Sequence, residues 1–208
     1  MHSTSYRLTE LFILFVLIPV SFAVPYPIWI KMIIGLMGFF YVIYFLLKVH
    51  RNKFKMHNDL NWQQFLKHLG IQFLVIGMLT GLYLWVFDRP RLFYDIRNNP
   101  VKWLILSLIY IVLSVYPQEL IYRTFFFQRY QTLFKSRGLF IFLNGVLFSL
   151  AHLFFRNGLV LVMTFIGGIL FAITFNRTKS TLMVSIEHAL YGVWLYTVGM
   201  GNLLGFPE

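Results

Sequence analysis

The chain has 208 residues, of which 59% are hydrophobic and only 12% are charged, and its mean hydropathy is +0.71. A soluble domain of this length needs more polar surface around its core, so the composition predicts transmembrane helices. The formal charge of +11 does not predict nucleic-acid binding, because the basic residues lie in short loops between apolar segments and not together in one soluble segment.

Seven apolar segments follow one another along the chain, and each is typical of a membrane-spanning helix. The first ends at Pro25-Tyr26-Pro27, which stops one helix and precedes the next. We therefore predict an all-α fold, a polytopic transmembrane helical bundle of about seven spans. The segments are Leu11–Val24, Ile28–Leu47, Phe65–Phe87, Val101–Tyr116 with a continuation, Leu139–Phe155, Leu159–Phe175 and Thr181–Met200.

The loops between the segments predict the orientation and the domain organisation. With alternating spans, eleven Lys and Arg residues lie on the side of the N-terminus and six lie on the other side. Since cytoplasmic loops carry the excess of positive charge, we expect a cytoplasmic N-terminus and a location in the cell (inner) membrane. The sequence has no internal repeat and no long linker, which favours a single membrane domain over residues 1–208.

Few ionisable residues remain once the loops are set aside, and they mark the candidate functional site. An unpaired charge near the centre of a bilayer costs at least ~2.5 kcal/mol, so such residues usually face the interior of a bundle and have a function. Carboxylates and imidazoles together form a general acid/base site or a metal site. Cysteine is absent, which excludes thiolate ligands and a cysteine nucleophile. The residues are Glu119, Arg123, His152, Glu187 and His188.

The spacing of Glu119 and Arg123 places both on one face of a helix, four residues apart, where they can form an ion pair. Tyr122 lies on a neighbouring face of that helix. Pro117 removes a backbone hydrogen bond just before Glu119 and can bend the helix, which makes room for water. A buried ion pair that only holds two helices together is an equally good interpretation of Glu119 and Arg123 taken alone.

The two histidines lie in separate later segments. A single histidine in an apolar helix usually makes one hydrogen bond to a neighbouring helix and has no further role. Glu187 directly precedes His188, so their side chains point about 100° apart on a helix, and one of the two is expected to support the site without facing it. His152 and His188 therefore carry weight only in combination with Glu119 and Arg123.

Three short motifs resemble those of the CAAX-protease and bacteriocin-processing family of intramembrane endopeptidases. Residues 118–123, Gln-Glu-Leu-Ile-Tyr-Arg, resemble its E-E-x-x-x-R motif, and Phe148 to His152 fits its F-x-x-x-H motif. His188 stands where the family has H-x-x-x-N. The resemblance implies that residues 104–200, within the four C-terminal segments, form the catalytic core, and that residues 1–100 add three N-terminal spans.

The resemblance implies a water-filled cavity in which glutamate and histidine activate water to hydrolyse a peptide bond. In that interpretation Glu119 is the general base, while Arg123 orients it. His152 positions the water, and His188 donates to the developing oxyanion. We expect these side chains, from three separate helices, to converge on one pocket of water.

The sequence departs from the family motifs at two positions. The first glutamate of E-E-x-x-x-R is Gln118 here, and glutamine cannot accept a proton. The asparagine of H-x-x-x-N is Gly192 here. Glu187 adds a carboxylate that the usual motif does not require, and we expect Gln118, Glu187 and Tyr122 to support the catalytic groups. Proteolysis is therefore retained through Glu119 or is lost.

Three alternatives remain open from the sequence. Glu119, His152 and His188 could hold a divalent metal such as Zn²⁺, since two histidines and one glutamate form a known catalytic zinc set. A catalytically inactive family member would bind a membrane peptide or helix in the same cavity. A proton-coupled transporter also uses intramembrane Glu, His and Arg, although the absence of paired repeats disfavours it. The expected partners are a membrane protein or peptide substrate and the lipid bilayer.

Overall fold

The computed structural model describes residues 3–49 and 61–205 of the chain. Every regular element among these residues is helical, which confirms the predicted all-α fold class. Short 3-10 turns include Arg89–Arg91, Leu153–Phe155 and Gly201–Leu204, and the last helix continues into a π-helical turn over Tyr196–Met200. The helices are α1 (Thr4–Phe22), α2 (Ile28–Lys48), α3 (Trp62–Phe87), α4 (Tyr94–Asn98), α5 (Pro100–Leu133), α6 (Arg137–Leu150), α7 (Gly158–Thr178) and α8 (Thr181–Leu195).

Six helices among the described residues are long and apolar enough to cross a membrane: α1, α2, α3, α5, α7, and α6 with the turn that follows it. The helix α3 exposes large apolar side chains, whose contact with water would be unfavourable. Met78 is 72% exposed, Leu74 64% and Leu79 63%. Such a surface suits lipid, and the chain is an integral membrane protein.

The seventh predicted segment, Thr181–Met200, is helical but is not among these six. Glu187 and His188 lower the hydropathy of this segment. Its regular helix ends before Gly199, whose φ is 115°. Six of the seven predicted segments are therefore candidate spans among the described residues, and Thr181–Met200 is a helical segment of lower hydropathy.

Two helices extend further than their apolar segments predict. The helix α1 begins at Thr4, seven residues before the predicted start at Leu11, because the Ser3 hydroxyl caps the backbone N–H of Tyr6. The helix α5 has 34 residues and runs past Pro117, which confirms the predicted continuation. A π-helical turn over Tyr110–Val115 precedes Pro117, and such turns accommodate a proline without breaking a helix.

The helices group into two compact units, neither of which is continuous in sequence. The first comprises Met1–Met56 and Pro117–Thr181, and the second comprises His57–Tyr116 and Leu182–Glu208. The first unit therefore contains α1, α2, the C-terminal half of α5, α6 and α7. The second contains α3, α4, the N-terminal half of α5 and α8. The single domain predicted over residues 1–208 stays a prediction.

The core of the first unit is built from aromatic rings around the fully buried Phe15 of α1. This ring lies 5.2 Å from Tyr122, 5.0 Å from Phe126 and 5.9 Å from Tyr130, all on α5. Edge-to-face pairs of this kind are favourable beyond the apolar area that they bury. The aromatic contacts thus fix α1 against the half of α5 that carries the candidate site.

The close approach of α6 and α7 depends on two glycines. A Cβ atom added to Gly168 would lie 3.0 Å from the Cα of Gly145, so neither position has room for a side chain. Gly168 therefore allows α6 and α7 to pack closely. The contact holds α6 in place and with it Asn144 and Phe148, which lie on either side of Gly145 along the chain.

A buried ion pair between Glu10 and Arg129 joins α1 to the end of α5. Arg129 Nε donates to Glu10 Oε2 at 2.6 Å, and the Tyr130 hydroxyl donates to the same oxygen at 3.0 Å. The Tyr41 hydroxyl of α2 donates to Glu10 as well. The Arg129 guanidinium lies 4.3 Å from the ring centroid of Phe45. Glu10 lay outside the predicted first span, and this network explains how a carboxylate is accommodated there.

The second unit is organised around two tryptophans. Trp194 of α8 donates from Nε1 to the Thr80 hydroxyl of α3 at 2.9 Å, and Trp103 of α5 donates to the Thr197 hydroxyl at 3.0 Å. Hydrogen bonds between polar side chains join helices where apolar packing alone gives little specificity. These bonds place α8 beside α3, and the π-helical turn that follows α8 beside the N-terminal half of α5.

We expect Glu10→Ala to lower the stability of the purified protein, because it leaves the buried Arg129 guanidinium without its carboxylate. Removing one partner of a buried ion pair costs about 3–5 kcal/mol. Unfolding in detergent micelles, followed by circular dichroism, measures the loss.

The double replacement of Glu10 and Arg129 by methionine is the matched control, and it should recover most of the stability since no buried charge is left unpaired. Replacement of the exposed Lys67 by alanine should change the free energy of unfolding by less than about 0.5 kcal/mol. Wild-type stability of Glu10→Ala would contradict a structural role for the pair.

Candidate functional site

Glu119 and Arg123 form an ion pair in the interior of the first unit. Arg123 Nε lies 3.2 Å from Glu119 Oε2, and both side chains have 0% relative exposure. The pairing predicted from their spacing of four residues is therefore confirmed. A carboxylate and a guanidinium at this depth are stable only as partners, because each alone would be a buried uncompensated charge.

Asn144 of α6 holds the guanidinium from the other side. Arg123 Nη1 donates to Asn144 Oδ1 at 2.6 Å, and Asn144 Nδ2 donates to the backbone carbonyl of Tyr122 at 2.8 Å. The carboxamide thus bridges two neighbouring residues of α5 and fixes the register of α6 against it. Two rings cover the cation, since the Arg123 guanidinium carbon lies 4.8 Å from the centroid of Phe148 and 5.7 Å from that of Phe171.

His152 lies just beyond the end of α6, where the last carbonyls of a helix lack backbone donors. Its Nδ1 lies 2.8 Å from the carbonyl oxygen of Phe148. A carbonyl only accepts, so Nδ1 carries the proton, and in the neutral ring Nε2 is then an acceptor. The His152 ring lies 4.9 Å from the Phe148 ring, so Phe148 contacts both His152 and Arg123.

The other two predicted supporting residues of the first unit have different surroundings. Tyr122 is buried, and its ring packs edge-to-face against Phe148 at 5.3 Å. Tyr122 therefore contacts the candidate site by packing and through its carbonyl, which accepts from Asn144, and its supporting role stays a prediction. Gln118 is half-buried, one residue before Glu119 in the last α-helical turn ahead of a π-helical turn over Leu120–Phe125.

His188 lies in the second unit and is paired with a tyrosine. Its Nε2 lies 3.2 Å from the Tyr110 hydroxyl, and the two rings are perpendicular, with centroids 6.2 Å apart. Gly192 makes this pairing possible, because a Cβ there would lie 2.1 Å from the Tyr110 hydroxyl oxygen. Gly192 stands where the family motif has asparagine. It makes space for the Tyr110 hydroxyl, which contacts His188.

Glu187 lies apart from these contacts on α8, as the predicted angle of about 100° implies. Its side chain is 1% exposed, and its Oε1 lies 3.3 Å from the Tyr191 hydroxyl. The same hydroxyl lies 3.0 Å from Oε1 of Gln72 on α3. A hydroxyl has one proton, so Tyr191 donates to one of these oxygens at a time. Glu187 is thereby part of a polar contact between α8 and α3.

The structure places the predicted metal ligands in different units, Glu119 and His152 in the first and His188 in the second. Within either unit, no three His, Asp or Glu side chains among the described residues are grouped as a metal site would require. A site of His₂Glu type needs three ligands within bonding distance of one ion. The metal set and the convergence of the three residues on one pocket therefore stay predictions.

Sequence reasoning missed three residues that contact the predicted ones: Asn144, Tyr110 and Gln72. Each is uncharged at neutral pH, whereas the predicted site consists of side chains whose charge is costly inside an apolar segment. Asn144 is the one carboxamide of the predicted segment Leu139–Phe155, which is the sequence signal that could have found it. The structure buries it completely. Tyrosines are common throughout this chain, so Tyr110 carries no comparable signal.

Residues 100–194 match the family described as type II CAAX prenyl endopeptidase Rce1-like. This match confirms the resemblance predicted from the three motifs, and it supports a fold of the intramembrane CAAX endopeptidase type for this part of the chain. It includes Glu119, Arg123, His152 and His188, and it begins close to the predicted core boundary at residue 104. No curated protein and no solved structure shows significant similarity to the chain.

We expect Gly192→Ala to destabilise the second unit and to separate Tyr110 from His188, since the new methyl group would overlap the tyrosine ring. Overpacking of this kind typically costs about 1–3 kcal/mol. Thermal unfolding of the purified protein measures the cost.

Gly81→Ala is the matched control, because a Cβ at Gly81 has no neighbouring atom within 4 Å. This change should leave the protein as stable or raise its stability, as alanine is the better helix former. Adding Tyr110→Ala to Gly192→Ala should recover stability. If both glycine variants unfold at the wild-type temperature, the close approach of Tyr110 is wrong.

Proposed function

We propose that the protein is an intramembrane endopeptidase that hydrolyses a peptide bond in a membrane-associated protein or peptide, with Glu119 as general base. The observation that supports this most strongly is the fully buried Glu119 carboxylate, held by an arginine that Asn144 and two rings fix in turn. A general base must be held in one orientation, and this arrangement does so. The family match over residues 100–194 supports the same reaction class.

The reaction that we propose is a hydrolysis in two steps. Glu119 takes a proton from a water molecule as the water oxygen attacks the carbonyl carbon of the peptide bond, which gives a tetrahedral intermediate with a negative oxygen. Glu119 then delivers that proton to the amide nitrogen as the C–N bond breaks, and a carboxylic acid and an amine leave. A carboxylate has two oxygens, so one can keep the Arg123 ion pair while the other takes the proton.

The tautomer of His152 supports a role in positioning the water. Because Nδ1 donates to the Phe148 carbonyl, Nε2 of the neutral ring accepts a hydrogen bond, and a water O–H can supply it. A water that donates one proton to His152 and the other to Glu119 directs an oxygen lone pair at the substrate. This role remains a proposal, as does the pocket in which it would operate.

We assign His188 the stabilisation of the developing oxyanion, with Tyr110 as its positioning residue. A preorganised donor aimed at an oxyanion typically contributes about 10²–10³ in rate. The Tyr110 hydroxyl lies 3.2 Å from His188 Nε2 and restrains the His188 ring. The asparagine of the family motif, one turn after the histidine on α8, would be placed to do the same. Glu187, which contacts Tyr191 instead, has a supporting role in this proposal.

The substrate class follows from the location of the site. The helices that carry Glu119 and His152 are candidate membrane spans, so a soluble substrate would have to enter the bilayer, whereas a membrane-associated one is already there. The family description names a prenyl endopeptidase, and a lipid-modified chain end fits this requirement. We place the protein in the cell membrane with a cytoplasmic N-terminus, from the distribution of Lys and Arg.

We expect Glu119→Gln to reduce cleavage by about 10²–10⁴-fold, since the amide keeps the shape of the side chain but cannot accept a proton. Comparative proteomics of membranes that contain the wild type or the variant should show a polypeptide that is cleaved only by the wild type. That polypeptide then serves as substrate for the purified protein.

Glu10→Gln is the matched control, because it makes the same chemical change in the other buried Glu–Arg pair of the first unit. Its cleavage rate should stay near that of the wild type. Equal loss in both variants would indicate a structural role for Glu119 and contradict the proposal. Full activity of the wild type in a strong chelator would exclude an essential exchangeable metal, and loss that Zn²⁺ reverses would favour the metal set.

Gln118 decides between an active enzyme and an inactive peptide-binding relative. We expect measurable cleavage by the wild type and faster cleavage, by about tenfold or more, in Gln118→Glu, which restores the first acid of the family motif. Gln128→Glu, the same change ten residues further along α5, should not raise the rate. Cleavage by Gln118→Glu with none by the wild type would show that the wild type is catalytically inactive, as the peptide-binding alternative requires.

A further inference from the structure

A cavity of about 290 Å³ lies where three helices of the first unit end on the same side. The helices α6 and α7 are consecutive and antiparallel, so the start of α6 and the end of α7 meet there with the end of α5. We call this the basic cavity. The residues that line it are Phe127, Gln131, Phe134, Lys135, Arg137, Phe140 and Asn176.

Cations surround the basic cavity closely. Lys135 and Arg137 line it directly, and Lys179 reaches it by donating from Nζ to Asn176 Oδ1 at 3.2 Å. Lys179 also lies 5.7 Å from the centroid of the Phe127 ring. Burial lowers the pKa of the Lys179 ammonium, and the neighbouring Arg137 charge lowers it further. Neighbouring like charges repel one another, and an anion bound among them relieves that repulsion.

The protein does not supply that anion from the neighbouring sequence. No Asp or Glu occurs between Glu119 and Glu187, a stretch that contains every residue of the cavity. The two acids of the first unit among its described residues are Glu10 and Glu119, and each is buried against an arginine of α5. An anion from outside the protein therefore best balances the charge.

The interior of the basic cavity is aromatic. The ring of Phe140 lies 4.9 Å from that of Phe127 and 5.3 Å from that of Phe134. The basic cavity has cations at its rim, the carboxamides of Gln131 and Asn176, and an apolar interior. Such a site fits a ligand that joins a phosphate to apolar carbons. A phospholipid headgroup has both parts, whereas inorganic phosphate has only the charge.

We propose that the basic cavity binds the phosphate headgroup of an anionic phospholipid at the membrane interface. Lys135 and Arg137 contact the phosphate oxygens. The rings that line the cavity contact the glycerol carbons: Phe127, Phe134 and Phe140. Pockets that enclose whole drug-sized molecules start at about 300 Å³, so this cavity takes the headgroup while the acyl chains stay in the bilayer. The cavity lies at the end of α5, the helix that carries Glu119, and the proposal does not depend on catalysis there.

The test measures lipid retention by the purified full chain with native mass spectrometry. Palmitoyl-oleoyl phosphatidylglycerol is the anionic probe, and the phosphatidylcholine with the same acyl chains is the zwitterionic one. We expect Lys135→Gln with Arg137→Gln to weaken phosphatidylglycerol retention about thirtyfold, since each cation near an anionic headgroup contributes about fivefold. Phosphatidylcholine should bind weakly and equally to all variants.

Lys67→Gln with Arg89→Gln is the matched control, because it removes the same charges from exposed positions of the second unit. Its phosphatidylglycerol retention should equal that of the wild type. Thermal unfolding checks that each variant is folded, and the single Lys135→Gln change, with about fivefold weaker retention, replaces the double variant if that one unfolds. Equal retention by the cavity variant and the wild type, or equal loss in both double variants, would overturn the proposal.

Competition with inorganic phosphate tests whether the bound anion is a lipid headgroup or free phosphate. If the ligand is a lipid, millimolar phosphate should displace phosphatidylglycerol only weakly, and Phe134→Ala should reduce lipid retention while leaving the charges in place. Complete displacement by phosphate, with Phe134→Ala unchanged, would show that the cavity is a site for free phosphate and not for a lipid headgroup.

Discussion

The burial of the Arg123 guanidinium is the constraint on which the first unit depends. A fully buried cation needs a counter-charge and hydrogen-bond acceptors within reach, and Glu119 and Asn144 provide them. Asn144 can do so only if α6 lies in one register against α5, since its amide also donates to the Tyr122 carbonyl. The buried charge of Arg123 therefore determines where the Glu119 carboxylate lies.

The packing of α7 follows from the same constraint. The rings of Phe148 and Phe171 cover Arg123 from α6 and α7, and both helices come close enough because Gly145 and Gly168 carry no side chains. A larger residue at either glycine would separate the helices and expose the cation. The packing around Arg123 is therefore one arrangement in which each part requires the others. Its parts are the ion pair with Glu119, the Asn144 amide, the two rings and the two glycines.

The sequence predicted the ionisable residues of the candidate site and missed Asn144 and Tyr110, which are neutral, for a physical reason. A charge inside an apolar segment is costly, so Glu119, Arg123 and His188 stand out without any structure. Asn144 and Tyr110 cost little to bury, and their importance arises only from the partner that the fold places beside them. The start of α1 was predicted at Leu11, where the apolar run begins. Glu10 extends the helix before it because Arg129, Tyr130 and Tyr41 hold its carboxylate.

The two departures from the family motifs have different structural consequences. Where the asparagine is lost, Gly192 leaves a space that the Tyr110 hydroxyl fills beside His188, so the loss and its replacement occur at one place. Where the first glutamate is lost, the additional carboxylate is Glu187, which contacts Tyr191 in the second unit, while Gln118 belongs to the first. A glutamine can donate and accept hydrogen bonds but cannot carry a proton between water and a leaving amine. If this chain hydrolyses peptides, Glu119 must therefore both keep its ion pair and transfer the proton, a combination that the two oxygens of one carboxylate allow.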